Sequence, residues 1–96
     1  AIEVPFKVMQ LCSRSFEIIE AMAQTGNPNS VSDAGVGALC ARAGVWGAYM
    51  NVQINAEGFS DTGFTQQMLQ KGKEMLSAAI EKEAAILKMV EEKIGT

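Results

Sequence analysis

Apolar residues recur at spacings of three and four along most of this chain, which is the pattern of helices that bury one face. The pattern falls into three segments, residues 5–24, 31–55 and 61–94, separated by turn-forming residues. Because the helical spacing is kept throughout these segments, the sequence predicts an all-α fold, an antiparallel up-and-down helical bundle. Residues 1–96 would form a single helical unit.

The turn between the first two helices carries its own signals. Pro28 keeps Asn27 out of the helical region, and the flanking Gly and Ser residues are typical of turns. We therefore expect Ser30 to cap the second helix, with Asp33 in the acidic position of a capping box.

The second segment stands out because small residues fill most of it. Four of them are glycines inside a helix, and each costs about 1 kcal/mol relative to alanine, so we expect a neighbouring backbone or a ligand to approach closely there. A helical projection places Asp33 and Asn51 in the same direction, with Asn55 nearby. The face between these polar ends is made of small residues, namely Gly37, Cys40, Gly44 and Gly47. Apolar residues occupy much of the rest, which places this helix in the middle of the bundle.

The third segment differs because charged residues surround its apolar stripe. We expect Ser60 or Asp61 to cap this helix. Its charges should be solvated, including those of the acidic pair Glu81 and Glu83. The third helix is therefore expected to be a packing element rather than a site.

Composition restricts what such a bundle does. The chain has 48% hydrophobic residues and a net charge of −3, which fits one small domain whose core is completed by a partner chain or by a further segment. The acidic balance argues against nucleic acid as a partner. The longest apolar stretch, residues 34–52, is interrupted by Arg42 and rich in small residues, so we expect no membrane span and no membrane partner.

The absence of histidine excludes several kinds of active site. With no His in the sequence, this chain cannot itself supply a Ser-His-Asp apparatus, a Cys-His pair or a histidine metal ligand. Cys12 and Cys40 are too few for a disulfide framework and too far apart for a metal knuckle. We expect both to be reduced thiols used as small core residues, which fits a cytoplasmic protein. Residues 1–5 have neither the basic region nor the apolar core of a signal peptide.

Two motifs give the chain a family resemblance. Gly-Asn-Pro-Asn-Ser-Val-Ser-Asp-Ala-Gly-Val at 26–36 and Gly-Ala-Tyr-Met-Asn-Val-Gln-Ile-Asn at 47–55 closely resemble the cyclodeaminase domain family. This family includes formimidoyltetrahydrofolate cyclodeaminase, the second half of the bifunctional formiminotransferase-cyclodeaminase, and the methenyltetrahydrofolate cyclohydrolases. The resemblance covers most of the chain, and the spacing between the two motifs also matches. The earlier half of the family domain, with its Pro-Gly-Gly-Gly-Ser-type segment, is not found in this sequence, so the chain resembles the C-terminal half. The resemblance implies that a partner chain or the missing N-terminal helices complete the bundle.

The resemblance implies an enzyme of folate one-carbon metabolism and histidine degradation. Such an enzyme cyclises 5-formimidoyltetrahydrofolate to 5,10-methenyltetrahydrofolate with release of ammonia, or hydrolyses methenyltetrahydrofolate to formyltetrahydrofolate. The resemblance also implies an all-helical fold, no metal, and no prosthetic group beside the tetrahydrofolate substrate. The partners that it implies are a second copy in a homodimer or larger oligomer, an N-terminal fragment, or a formiminotransferase domain.

Five residues match positions of the family motifs. By resemblance, Asp33 is catalytic, and the folate-binding site is lined by Asn27, Ser32, Asn51 and Asn55. The chemistry of Asp33 supports its role independently, because ring closure needs proton transfers at two nitrogens and gives a cationic product. A carboxylate in the first turn of a helix can move protons, stabilise a cation and remain ionised.

Each assignment has a structural alternative. Asp33 could complete the helix cap and do nothing else, Asn51 and Asn55 could form hydrogen bonds between helices, and the glycines could serve helix packing. The whole chain would then be a non-catalytic helical module that binds a partner helix through its small-residue face. The substitution Asp33→Asn separates the two hypotheses. The enzyme would lose turnover without unfolding, whereas the module would show only a change in stability of the size expected for a helix cap, about 1 kcal/mol.

Overall fold

In the computed structural model, residues 2–58 and 61–95 are described, and they form three helices and no strand. Helix α1 spans Glu3–Thr25, α2 spans Pro28–Ala56 and α3 spans Thr62–Ile94. Short connections reverse the chain between consecutive helices, and α2 packs against both α1 and α3. The bundle measures 52 × 17 × 16 Å. The prediction of an all-α up-and-down bundle is confirmed.

Helix α2 begins earlier than its pattern predicts. The side chain of Asn27 accepts a hydrogen bond of 3.1 Å from the N–H of Ser30, so Asn27 is the N-cap and the predicted cap at Ser30 was wrong. The reason is Pro28, which fixes Asn27 in an extended conformation and is itself well suited to the first helical position. Asp33 consequently lies in the second turn of α2 and not in the first, where the helix dipole acts most strongly.

The ends of α1 and α3 are also held by specific contacts. Asp61 caps α3 by accepting a hydrogen bond of 3.0 Å from the N–H of Phe64, which is one of the two predicted caps; the other, Ser60, lies outside the described residues. At the opposite end of the bundle, Lys93 Nζ donates to the carbonyl oxygen of Gln24. A lysine of α3 thus places positive charge at the C-terminus of α1, where the helix dipole favours it.

The core lies where the three helices meet and is built from side chains of unequal size. Large residues such as Met9 and Phe16 come from α1, valines and alanines come from α2, and Ile86 is the largest from α3. Packing against both neighbours is what we expected of a central helix, but one side of α2 stays exposed. Ser13 lies on the buried stripe of α1, and its Oγ is buried without a hydrogen-bond partner in the described part of the chain.

Close packing explains some of the helical glycines. A Cβ added at Gly44 would lie 2.7 Å from the Sγ of Cys12, and one added at Gly72 would lie 2.7 Å from the Cδ1 of Tyr49. These positions need glycine because a neighbouring side chain occupies the space. The expected close approach to α2 is therefore made at Gly44 by a side chain of α1. At Gly47 an added Cβ meets nothing within 4 Å.

The exposed surface that α1 and α2 share is largely apolar. We call it the apolar face, and its members are Val4, Val8, Leu11, Ile18 and Met22 of α1 with Val36, Cys40, Ala43, Gly47, Met50 and Ile54 of α2. The expectation that Cys40 is a core residue was wrong, because the helical turn directs it away from α1 and α3; Cys12 is half-buried. Despite this face, no helix in the described part of the chain has the length and hydropathy needed to cross a membrane.

Candidate functional site

Helix α2 and its cap carry all five predicted site residues but separate them into two groups. Asn27 is the N-cap, Ser32 and Asp33 lie in the first two turns, and Asn51 and Asn55 lie in the last two. Asp33 and Asn51 share one direction on the helix, yet the 18 helical steps from 33 to 51 correspond to about 27 Å along the axis. One copy of the chain therefore does not bring the five residues into a single site.

The first group lies at the end of the bundle where α1 and α3 terminate. The side chains of Asn27, Ser32 and Asp33 are all exposed. Among the described residues, no hydrogen bond or ion pair engages the Asp33 carboxylate. The capping role that was the alternative for Asp33 is taken by Asn27, which accepts from the N–H of Ser30. Asp33 is thus a carboxylate that a ligand can reach.

The second group lies at the opposite end of the bundle and borders a cleft. Asn51 and Asn55 line this cleft of about 400 Å³ together with Val4, Pro5 and Val8 of α1, so amide groups face an apolar wall. Asn55 Nδ2 donates a hydrogen bond of 2.7 Å to the carbonyl oxygen of Asn51 within α2. This bond is not the hydrogen bond between helices that was the alternative for Asn55, and it leaves the Asn51 amide exposed.

The volume of the cleft does not by itself identify it as a binding site. Two other clefts have nearly the same volume, about 380 and 370 Å³, which is at the lower end of the range for small-molecule sites. One of them lies between α2 and α3 beside Tyr49, and the other lies between α1 and α3 beside Lys71. The cleft at Asn51 and Asn55 is distinguished by the predicted residues that line it.

An ion pair that the sequence did not predict joins the middle of α2 to α3. Arg42 Nε donates to Glu83 Oε2 at 2.7 Å, and the two side chains are 30% and 15% exposed. The expectation that Glu83 is solvated was wrong, because Arg42 reaches across the helix–helix seam and covers it. The sequence signal that could have revealed this ion pair is the isolation of Arg42, which is the one cation within α2.

Sequence reasoning also missed the apolar wall of the cleft. Val4, Pro5 and Val8 enter it because α1 packs beside the C-terminal end of α2, and no motif in α1 marked them. No group of three or more His, Cys, Asp or Glu side chains in residues 2–58 and 61–95 is placed to hold a metal ion.

Comparison with known proteins identifies the family. A family model described as formiminotransferase-cyclodeaminase matches residues 1–74. The chain is 34% identical over 95 residues to a methenyltetrahydrofolate cyclohydrolase of Methylorubrum extorquens, which covers 99% of the chain and 46% of that relative. It is 32% identical to formimidoyltransferase-cyclodeaminases of Dictyostelium discoideum and Rattus norvegicus, covering 94% and 95% of the chain and 17% of each relative.

These matches agree with the resemblance drawn from the two motifs. The chain belongs to the formiminotransferase-cyclodeaminase family. It spans slightly less than half of the cyclohydrolase and a smaller share of the cyclodeaminases.

Proposed function

We propose that this member of the formiminotransferase-cyclodeaminase family acts in folate one-carbon metabolism, as all or part of an enzyme that makes or hydrolyses methenyltetrahydrofolate. The observation that carries the proposal is 34% identity to a methenyltetrahydrofolate cyclohydrolase across 99% of the chain. Relatives named for cyclodeaminase activity match almost as closely, at 32%. Both reactions take place at the same one-carbon unit, so one kind of site serves either.

The proposed chemistry needs a group that exchanges protons beside that carbon. In the cyclisation, N10 attacks the formimidoyl carbon and loses its proton, while the leaving nitrogen takes up that proton and one more and departs as ammonia. In the hydrolysis, water attacks the same carbon, one of its protons passes to the nitrogen whose bond to that carbon breaks, and the other is released, so that the ring opens to the formyl form. We assign the proton transfers to Asp33, since its carboxylate is exposed and unpaired among the described residues. Its negative charge also stabilises the methenyl cation.

The other four residues are proposed to bind the folate. Asn27 and Ser32 flank Asp33 at the N-terminal end of α2, where Ser32 offers a hydroxyl and the Asn27 amide has donors beyond its cap bond. Asn51 and Asn55 add amides above an apolar wall. Amides donate and accept hydrogen bonds at once, as the edge of a pterin requires. Because the two groups are about 27 Å apart on α2, the two groups of one copy do not contact the same pterin ring.

The partners and the location in this proposal are those expected from the family resemblance. A tetrahydrofolate derivative is the substrate, and the protein acts in the cytoplasm as a homodimer or larger oligomer, or together with an N-terminal fragment or a formiminotransferase domain. No prosthetic group is proposed.

The non-catalytic module is supported by one observation, the exposed apolar face of α1 and α2. Its proposed small-residue face is already used inside the chain at Gly44, where Cys12 of α1 occupies the space. The enzyme accounts for the motif residues as well as the packing, and we prefer it.

The test is the absorbance of methenyltetrahydrofolate measured with the purified chain. Added 5-formimidoyltetrahydrofolate should produce this absorbance if the chain is a cyclodeaminase. Added methenyltetrahydrofolate should lose it faster than in buffer if the chain is a cyclohydrolase. Absence of both activities, together with no binding of either folate by calorimetry, would favour the helical module.

A further inference from the structure

Gly72 is the point at which α3 receives side chains from both of the other helices. A Cβ added there would lie 2.7 and 2.8 Å from Cδ1 and Cε1 of Tyr49 on α2, and 3.5 Å from Cε of Met9 on α1. Gly72 is buried and Met9 is fully buried, so these contacts belong to the core. The Tyr49 ring fits here because residue 72 has no side chain.

The cleft that carries two of the predicted site residues is built on the same turns of α1 and α2. We call it the amide cleft, and it is lined by Val4, Pro5, Val8, Ala48, Asn51 and Asn55. On α1, Val8 lines the cleft and the next residue, Met9, reaches Gly72. On α2, Ala48 lines the cleft and the next residue, Tyr49, reaches Gly72. Gly72 therefore lies behind both walls of the amide cleft.

Two glycine contacts hold these walls at their spacing. Cys12 of α1 packs on Gly44 of α2, which sets the two helices against each other one turn before the amide cleft. Gly72 sets both helices against α3 at the cleft itself. Beyond Gly44, the position of the C-terminal end of α2 thus depends on how deeply the Tyr49 ring enters the space at Gly72.

We propose that Gly72 is a positioning residue that sets the spacing between the two walls of the amide cleft. It does not line the cleft, so it acts through Tyr49 and Met9. Because protein cores are close-packed and transmit strain, a methyl group at position 72 displaces the Tyr49 ring and the turn of α2 that follows it. That turn carries Asn51. The consequence for folate binding rests on the proposed function, whereas the effect on the cleft does not.

The displacement has a reporter inside the amide cleft. Asn55 Nδ2 donates a hydrogen bond of 2.7 Å to the carbonyl oxygen of Asn51, so one side-chain amide is tied to the backbone of the turn that Tyr49 begins. The side-chain amides of Asn51 and Asn55 give NMR signals that depend on this geometry. They can be followed whether or not the chain is active.

The first experiment compares proton–nitrogen correlation spectra of the whole chain and its variants. We expect Gly72→Ala to shift the side-chain amide signals of Asn51 and Asn55. Ile86→Val is the matched control, because Ile86 is a buried residue of α3 that lies about 21 Å from Gly72 along the helix. This variant also disturbs the core, but it should leave the two amide signals in place. Circular dichroism shows that each variant is folded.

A double-mutant cycle tests whether the Tyr49 ring transmits the displacement. In a Tyr49→Leu background, the further change Gly72→Ala should move the two amide signals much less than it does in the wild-type chain, because the ring is gone. If Gly72→Ala does not fold, Met9→Leu takes its place. This exchange conserves volume and withdraws the methyl group that rests on Gly72, so it should also shift the amide signals.

The second experiment measures the affinity for methenyltetrahydrofolate by calorimetry. Gly72→Ala should raise the Kd by about tenfold, since small misplacements of positioning groups are costly, and Ile86→Val should leave the Kd unchanged. If the chain turns over its substrate, Gly72→Ala should raise KM more than it lowers kcat, because Asp33 lies at the other end of α2.

Two results would overturn the proposal. If Gly72→Ala moves the amide signals no more than Ile86→Val does, the glycine serves packing alone. If the signals move but a chain that binds the folate keeps its affinity, the spacing set at Gly72 does not position the groups that bind. A wild-type chain that does not bind the folate would count against the proposed function, and the NMR comparison would still decide whether Gly72 sets the cleft.

Discussion

Helices α2 and α3 follow the same helical spacing, yet their outward sides have opposite chemistry. Two of the 29 residues of α2 are charged, against ten of the 33 residues of α3. The exposed charges of α3 suit a side of the bundle that faces water. The exposed side of α2 is apolar, and Arg42 turns away from it to Glu83. The distribution of charge therefore distinguishes a charged outward side on α3 from an apolar outward side on α2.

The largest expected effect is on activity. Replacing Asp33 by Asn on α2 should lower turnover by at least about 100-fold, since an acid–base group contributes on that scale, while the melting temperature stays the same. The measurement is the rate of methenyltetrahydrofolate formation or loss, with thermal unfolding alongside. The matched change on α3, Glu81→Gln, should alter neither. Equal activity of the two variants would remove the functional difference between the helices.

The next largest effect is on stability, when one glycine of α3 and one of α2 are each replaced by alanine. Gly72→Ala on α3 puts a Cβ 2.7 Å from the Tyr49 ring, and overpacking of this kind outweighs the gain in helix propensity, so stability should fall by about 1–2 kcal/mol. Gly47→Ala on α2 meets open space and should raise stability by up to about 1 kcal/mol. Urea unfolding of each variant beside the unmodified chain measures both effects. Destabilisation at Gly47 as well would mean that the space beside it is already filled.

A smaller effect is expected from the ion pair that joins the two helices. Glu83→Gln removes the charge that faces Arg42, and because both side chains are partly buried, the loss should be about 1 kcal/mol, above that of a fully exposed pair. A double-mutant cycle with Arg42→Met and Glu83→Gln, followed by urea unfolding, isolates the coupling. Zero coupling would indicate that the pair is fully screened by water.

The smallest effect lies inside the bundle, on α1. Ser13→Ala removes a buried hydroxyl that has no partner among the described residues, so stability should rise by about 0.5–1 kcal/mol. Ser15→Ala is the control, because the Ser15 Oγ donates a hydrogen bond of 2.6 Å to the carbonyl oxygen of Cys12. This variant should gain less stability. Thermal unfolding compares the two. A loss of stability in Ser13→Ala would point to an ordered water or a polar partner at this position.

The sequence predicted the helices well because their number and spacing depend on local preference and on one buried face each. It failed where two local signals competed. Ser30 is a good cap by type, but Pro28 starts the helix before it and leaves the cap to Asn27. It also failed where a distant helix decides the outcome, as at Glu83, whose burial depends on where Arg42 comes to lie.

The sequence proposed residues for a candidate site but did not predict where they lie relative to one another. The shared direction of Asp33 and Asn51 follows from helical geometry alone, and it suggested one face. The same geometry also places the two residues far apart along the axis of α2. Residues that share one face of this helix therefore do not form a single site. The apolar wall at Val4 and Val8 could not be predicted, since it depends on how α1 docks beside the end of α2.

The elongated shape of the bundle has a consequence for its motion in solution. The chain is about three times as long as it is wide, at 52 × 17 × 16 Å, and all three helices run along the long axis, so most backbone N–H bonds lie nearly parallel to it, those of α2 in the opposite sense to those of α1 and α3. A monomer should therefore tumble anisotropically, and the helical amides should show nearly uniform and fast transverse relaxation, because only the slow end-over-end tumbling reorients their N–H bonds. A second copy laid alongside would widen the particle without lengthening it, and the rotational diffusion of the pair would become more nearly isotropic as its mass doubles.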